Sequence, residues 1–152
     1  MKFPEERVSQ RGHLRDFPPS SAIRRGAVMA KQVISGSGSE GLPLSEAVRA
    51  GDFVFVSGMV GFGPDGRIVE GGIAAETDRI MADVADILKR AGASLADIVK
   101  VNICLTDAAD FAAFNEAYAR YFRKDPPARV SLAASLTINA RVEMDFIAYT
   151  GK

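Results

Sequence analysis

The stretch at residues 142–149, VEMDFIAY, constrains the fold most, because apolar side chains recur there at every second position. Successive side chains of a β-strand point to opposite faces, so this alternation predicts a strand with one apolar face. The residues of that face are Val142, Met144, Phe146 and Ala148. Glu143 belongs to the other face, so we expect its carboxylate to point away from the core.

A second strand is predicted just upstream, where Arg129 follows Pro126, Pro127 and Ala128. Prolines have a fixed φ and no N–H donor, which suits the edge or the mouth of a sheet. A guanidinium at such a mouth can bind an anion. From the residues alone, Arg129 is equally well explained as a surface arginine, and Glu143 as a member of an interface ion pair.

Upstream, hydrophobic periodicity predicts four more strands and two helices. The strands are expected at residues 31–34, 45–50, 53–58 and 98–105. The run at 53–58, FVFVSG, is typical of a strand buried on both sides. The turn at residues 63–66 predicts a hairpin with a partner strand near residues 67–69.

The first helix is predicted over residues 73–91, with apolar residues at three- and four-residue spacing and Gly92 as its stop. A second helix, starting at Asp107 or Asp110, carries aromatic residues on one face that we expect in the core. These aromatic residues are Phe111, Phe114, Tyr118, Tyr121 and Phe122. The predicted fold is α+β, with two helices that cover only one face of a single sheet. Self-association would cover the other face and leave a polar cleft at each interface.

Charge divides the 152 residues into a basic start and a mildly acidic body. Lysine plus arginine equals aspartate plus glutamate at 19 each, but residues 1–31 hold seven basic side chains and three acids, which leaves 12 and 16 in the remainder. We therefore expect neither nucleic acid nor a membrane as a partner. Residues 1–30 hold few aliphatic residues and show no sustained period, so they are predicted to be a disordered extension, with the folded domain at 31–152.

The extension is Arg-rich and contains serine, as transit peptides do, but its three acids favour an upstream extension before a start near Met29. It holds the only histidine, His13. Cys104 is the only cysteine, and its thiol is expected to be buried in the predicted strand at 98–105. Ser-His and Cys-His nucleophiles, and a Cys/His zinc cluster, are therefore not expected. We expect no metal, no cofactor and a cytoplasmic location, since a single thiol cannot form an intrachain disulfide.

Five segments taken together resemble the Rid (YjgF-like) family of reactive-intermediate deaminases. They are 51–58 (GDFVFVSG), 97–100 (DIVK), 110–118 (DFAAFNEAY), 127–129 (PAR) and 142–144 (VEM). The resemblance covers residues 31 to about 150. It implies a chorismate-mutase-like single mixed sheet and a homotrimer whose sheets form a central barrel, with three clefts between subunits. It also implies hydrolysis of 2-imino acids to 2-oxo acids and ammonia.

Position by position, the resemblance implies that Arg129 grips the substrate carboxylate and that Glu143 positions the attacking water. It further implies that Gly58, Asn115 and Ser131 line the cleft, with Ser131 where the family has a cysteine whose backbone meets the ligand.

Two positions of the cleft differ from the family pattern: Leu44 stands where tyrosine is common, and Met59 where glutamine is common. These exchanges predict a more apolar pocket and put the archetypal substrate in doubt, because a site built around a polar group discriminates strongly through it. Two other functions are considered: a non-catalytic trimer that binds a small carboxylate for regulation, and an RNA-acting protein, which the acidic body disfavours.

Overall fold

The computed structural model describes residues 31–36 and 41–151. The predicted extension, residues 1–30, lies outside the described residues. Six strands form one sheet in the order β1-β2-β3-β6-β4-β5. They are β1 Gln32–Ile34, β2 Ala47–Ala50, β3 Phe53–Met59, β4 Ile98–Leu105, β5 Ala128–Ala133 and β6 Val142–Tyr149. Only β4 and β5 pair in parallel and the other neighbours are antiparallel, so the sheet is mixed.

The alternation in β6 has the predicted consequence, because β6 lies at the centre of the sheet between β3 and β4. Val142, Met144, Phe146 and Ala148 are at most 1% exposed. Glu143 points to the opposite face and is half-buried. The strand therefore contributes to the core and to the other face of the sheet at once.

Two helices, α1 Gly72–Arg90 and α2 Phe111–Ala119, cover this apolar face. The predicted stripe on α1 is buried, with Ile80, Val84 and Leu88 fully enclosed. The helix ends where predicted, since Gly92 adopts a positive φ of 74° that glycine tolerates without strain. The observed architecture is thus a single mixed sheet with two helices on one face.

The α2 helix connects the parallel strands β4 and β5, and this crossover positions Arg129. Strand β5 is the edge of the sheet and begins directly after Pro126 and Pro127. Register pairs Arg129 with Val101 of β4, which is fully buried on the helix side. The Arg129 side chain therefore leaves the sheet on the side where α2 lies.

Four sequence predictions need correction. Strand β3 is buried on one face only, because Phe53 and Phe55 are 43% and 45% exposed in the single chain. The predicted hairpin after the turn at residues 63–66 is a single bridge between Phe62 and Ile68. Phe111 is 44% exposed instead of lying in the core with the other aromatic residues of α2. The Cys104 thiol is half-buried on the uncovered face, not enclosed.

The face of the sheet that carries no helix is rich in exposed apolar side chains. They include Phe53, Phe55, Val130, Leu132 and Tyr149. Asn102 and Asp145, hydrogen-bonded to each other, lie between those of β3 and those of β5. Exposed apolar side chains of this kind are a common mark of a protein interface. No helix in the described part of the chain is both long and apolar enough to cross a membrane.

Candidate functional site

A groove of about 1000 Å³ opens beside the last residues of β3, and Glu143 lies in its wall. The register of β2 with β3 ends at Ala47 and Val56, so no strand of the described residues pairs with the following part of β3 on that side. Three of the residues predicted for substrate binding also line the groove: Leu44, Gly58 and Met59. We call it the Glu143 groove.

The closest approach in this groove is between Gly58 and Glu143. A Cβ atom placed on Gly58 would overlap Oε1 of Glu143 and would lie 3.1 Å from its Cδ. The backbone of Gly58 has no positive φ, so the glycine is needed here for space and not for its conformation. The missing side chain lets the carboxylate lie directly against β3.

The outer walls of the groove are apolar. Leu42 and Leu44 are 59% and 50% exposed, and Phe62 and Ile138 are 38% and 41% exposed. Exposure of this extent leaves apolar surface in water that a ligand or a second chain would cover favourably.

Charged side chains at the other end of the groove are paired with one another. Arg79 lies 2.7 Å from Asp83, and Arg90 lies 2.6 Å from Glu46 and 3.0 Å from Asp86. The hydrogen bond to Glu46 is the main cause that raises the pKa of Arg90 above its ordinary value. Both cations of the groove are thus engaged by carboxylates of the same chain.

A second group of side chains surrounds Arg129, and we call it the Arg129 cluster: Arg129, Asn115, Phe111 and Tyr118. The Nη2 atom of Arg129 donates a hydrogen bond of 2.6 Å to Oδ1 of Asn115. Its Cζ atom lies 5.8 Å from the ring centroid of Phe111 and 5.4 Å from that of Tyr118. Two aromatic faces and one amide therefore fix the guanidinium plane and leave the remaining donors for a ligand.

The Tyr118 Oη atom of this cluster and the Oγ atom of nearby Ser131 are buried, and no described residue forms a hydrogen bond with either. Burial raises the pKa of Tyr118 to about 12, while the charge of Arg129 acts in the opposite direction. Ser131 is two residues beyond Arg129 on the same strand, so its side chain also points to the helix side.

The Arg129 cluster and the Glu143 groove are separated within one chain. Glu143 pairs with Cys104, which pairs in turn with Leu132 of β5, so these three lie in one row on the uncovered face. Arg129 leaves β5 from the opposite face, three residues before Leu132. The two groups that the sequence assigned to one cleft thus project from different faces of the same sheet.

Glu76 of α1 supports the start of β6. It is 3% exposed, and its Oε2 atom accepts a hydrogen bond of 2.8 Å from the backbone N–H of Arg141, two residues before Glu143. Gly61 packs on the same point, since a Cβ there would lie 2.9 Å from Cα of Glu76. One buried carboxylate therefore connects the helix with the two backbone segments that border the groove.

Sequence reasoning missed the aromatic side of the Arg129 cluster. Phe111, Asn115 and Tyr118 are spaced by four and three residues, which places them on one face of a helix. The spacing therefore indicated a shared face, but the same aromatic residues were also typical of a buried core, and the core was the interpretation chosen. Ile138 carried no comparable signal, because it comes from an irregular loop.

Within the described ranges, no three histidine, cysteine, aspartate or glutamate side chains come together in a way that would hold a metal ion.

Comparison with known proteins identifies the relatives of this chain. Residues 39–150 match the family model described as Endoribonuclease L-PSP. A RutC family protein of Pyrococcus abyssi is 44% identical over 109 residues, which cover 70% of this chain and 86% of that protein. The human 2-iminobutanoate/2-iminopropanoate deaminase is 36% identical over 134 residues, 87% of this chain and 94% of the human one.

Solved structures show the same fold. The crystal structure of yeast Mmf1 superimposes with a TM-score of 0.72 at 33% identity, covering 80% of this chain and all of the yeast chain. The match of the family model extends over well more than half of the 152 residues. The chain therefore belongs to the Rid (YjgF-like) family.

Proposed function

We propose that this protein hydrolyses reactive 2-imino acids, and their enamine tautomers, to 2-oxo acids and ammonia. The observation that carries the proposal is the prearranged Arg129 guanidinium, held by Asn115 and two aromatic rings, in a chain that also presents Glu143 in a groove. The kinship with relatives named 2-iminobutanoate/2-iminopropanoate deaminase supports the same chemistry.

The reaction needs little more than positioning, because the carbon of an imine is already electrophilic. Arg129 binds the substrate carboxylate through two parallel N–H···O bonds. Glu143 accepts a proton from water while the water oxygen bonds to the imine carbon and the C=N electron pair moves to nitrogen. Glu143 passes this proton to the nitrogen, then takes the proton of the new hydroxyl group and delivers it to the same nitrogen. The C–N bond breaks as the C=O bond forms, so ammonia leaves and the 2-oxo acid remains. A positioned base of this kind typically contributes about 10²–10⁴-fold.

The same proposal includes a homotrimer, because one chain does not bring the two groups together. In a trimer built through the uncovered face, Arg129 of one copy would approach Glu143 of the next. The exposed apolar side chains of that face, among them Phe55 and Leu132, support this association. We also propose a cytoplasmic location, supported by the single thiol, Cys104.

The direct test is a turnover assay. An amino-acid oxidase generates fresh imino acids from a panel of amino acids, and release of ammonia is followed with and without the protein. Acceleration that Glu143→Gln abolishes, while the fold is retained, is the expected result. A wild-type protein without effect on any imino acid would refute the proposal.

A subunit-mixing experiment tests the shared site. Arg129→Lys and Glu143→Gln chains are each expected to be weakly active alone. When they are co-expressed in equal amounts and assemble at random, about one site in four pairs an intact arginine with an intact glutamate. Recovery of about a quarter of the wild-type activity is expected. No recovery would mean that each active site takes both residues from the same chain.

A non-catalytic trimer that binds a small carboxylate is the second candidate, because the Arg129 cluster is complete without Glu143. In that case a 2-oxo acid binds, Arg129→Lys weakens its binding, and no imino acid is turned over. For an RNA-acting protein the sequence gives less support, since residues 32–152 hold 16 acidic and 12 basic side chains.

A further inference from the structure

We infer that the preferred substrate is a 2-imino acid with an extended apolar side chain, not the imino acid of alanine and not one with a charged side chain. The inference rests on the proposed function and specifies its substrate class. It is carried by the composition of the Glu143 groove.

One wall of the groove offers exposed apolar surface. Leu44 and Ile138 are about half exposed, and Phe62 adds an aromatic face. Met59, which packs partly against the core, also lines the groove. A substrate whose reacting carbon lies at Glu143 would therefore place its side chain against apolar atoms, and each buried methylene group adds favourable transfer free energy.

Charge in the groove disfavours acidic side chains. Arg79 and Arg90 are the arginines that line it, and both are bound by carboxylates at 2.6 to 3.0 Å. A second substrate carboxylate would have to compete with Asp83, Asp86 or Glu46 for these cations. Glu143 itself adds a further negative charge.

A substrate with a basic side chain gains little binding free energy, because the carboxylates of the groove are also paired. The carboxylates of Asp83 and Asp86 already accept from Arg79 and Arg90. A lysine- or arginine-derived imino acid would have to replace these contacts. Apolar contact is thus the recognition that the groove offers without breaking an existing ion pair.

The groove is larger than a methyl group requires. Its volume of about 1000 Å³ exceeds by far the size of the side chain of alanine. Even with part of that space filled by a neighbouring copy, a short side chain would leave apolar walls uncovered. Discrimination by a hydrophobic pocket amounts to about 10- to 200-fold per methylene group.

The test uses the full-length protein with imino acids generated by oxidases from leucine, alanine, glutamate and arginine. We expect kcat/KM for the leucine-derived imino acid to exceed that of the alanine-derived one at least about tenfold. An equal or higher value for the alanine, glutamate or arginine product overturns the inference and leaves the proposed function intact. No hydrolysis of any of them overturns the proposed function.

A binding measurement separates the two failures. Calorimetry compares the 2-oxo acid derived from leucine with pyruvate, and the former is expected to bind at least about tenfold more tightly. If no imino acid is hydrolysed but this binding preference is found, the apolar specificity of the groove stands and the proposed reaction is refuted. Equal binding overturns the apolar inference whatever the turnover.

Matched substitutions at Leu44 connect the preference with the groove. Leu44→Gln brings a polar amide into the groove wall on a side chain as long as methionine, so the leucine-to-alanine ratio of kcat/KM is expected to fall about tenfold. Leu44→Met keeps the apolar surface and is expected to keep that ratio, whatever its effect on the overall rate. Light scattering on each variant verifies the assembly, and an unchanged ratio in a correctly assembled Leu44→Gln protein would contradict the assignment.

Discussion

The carboxylate of Glu143 occupies the space that a side chain at position 58 would fill, and Gly58 has none. The two residues are on neighbouring strands, β3 and β6, and a Cβ on Gly58 would overlap Oε1 of Glu143. The β3 backbone and the carboxylate can approach so closely only because no side chain stands between them. A small residue on one strand thus sets the position of the proposed base on the next.

The first prediction follows from this contact. Gly58→Ala is expected to push the Glu143 carboxylate aside and to reduce turnover about 10²-fold, since a displacement of about 1 Å can cost that much. The fold should survive, because the clash is with the end of a flexible side chain. Turnover and thermal unfolding are measured on the same preparation, and an alanine variant with full turnover would contradict the role of this spacing.

Gly61→Ala is the matched control. Its Cβ would lie 2.9 Å from Cα and 3.1 Å from the carbonyl oxygen of Glu76, which are backbone atoms that cannot turn away. This variant is expected to lose about 1–3 kcal/mol of unfolding free energy, as overpacked sites do. If Gly58→Ala loses turnover and Gly61→Ala loses stability, the first glycine makes room for the proposed base and the second makes room for the packing of the fold.

The second prediction concerns Arg129. Lysine keeps the charge but loses the planar group that contacts Asn115 and lies between two rings. We expect kcat/KM to fall about 10- to 100-fold, equivalent to about 1–3 kcal/mol, with an unchanged fold. Arg67→Lys, at an exposed position outside both the groove and the cluster, is the control. An effect of equal size at both positions would mean that Arg129 is an ordinary surface charge.

Regular patterns in the sequence predicted most of the fold. The alternation in β6 and the stripe of α1 each repeat over several turns or strand positions, so one misplaced residue does not hide them. Both elements also lie fully within one chain, and their core faces need no partner. Strand β4 was predicted at its observed bounds for the same reason.

The predictions were wrong where a side chain is apolar but lies at the surface of a single chain. Phe53, Phe55 and Phe111 have the composition of core residues, and hydrophobicity alone does not say whether the covering atoms belong to the same chain. The relation of Arg129 to Glu143 was beyond sequence reasoning as well. It depends on the strand order, which places Glu143 and Arg129 two strands apart on opposite faces.

The third prediction concerns Glu76. Glu76→Ala leaves the part-buried N–H of Arg141 without its acceptor and is expected to cost about 1–3 kcal/mol of unfolding free energy. Glu76→Gln keeps an oxygen at the same place and should cost less. Urea denaturation measures both, with Glu70→Ala at an exposed turn as a control expected within about 0.5 kcal/mol of wild type. Equal losses for alanine and glutamine would show that the hydrogen bond is not the cause.

The fourth prediction concerns assembly. Light scattering is expected to give three times the chain mass of 16.2 kDa for the wild type. Phe55→Glu places a charge in the middle of the uncovered face and should yield monomers, because burying an unpaired carboxylate is costly. Ala82→Glu, on the exposed side of α1, should leave the mass unchanged. A wild-type monomer at micromolar concentration would remove the proposed shared site.

The fifth prediction is a dependence of stability on alkaline pH that Tyr118 causes. Burial raises the pKa of its hydroxyl to about 12 in the folded chain, whereas an unfolded chain releases this proton near the ordinary value of about 10. Below pH 10 both states hold the proton, and the folded state has its full stability.

As the pH rises from about 10 to about 12, only the unfolded state gains by ionisation, so the unfolding free energy falls by about 1.4 kcal/mol for each pH unit. Tyr118→Phe has no proton to release, and its stability should decline less over the same range. Urea denaturation of both proteins at successive pH values cancels the contributions of all other groups. Parallel curves for the two proteins would mean that the Tyr118 hydroxyl reaches water, and that the aromatic support under Arg129 is more open than its 5% exposure indicates.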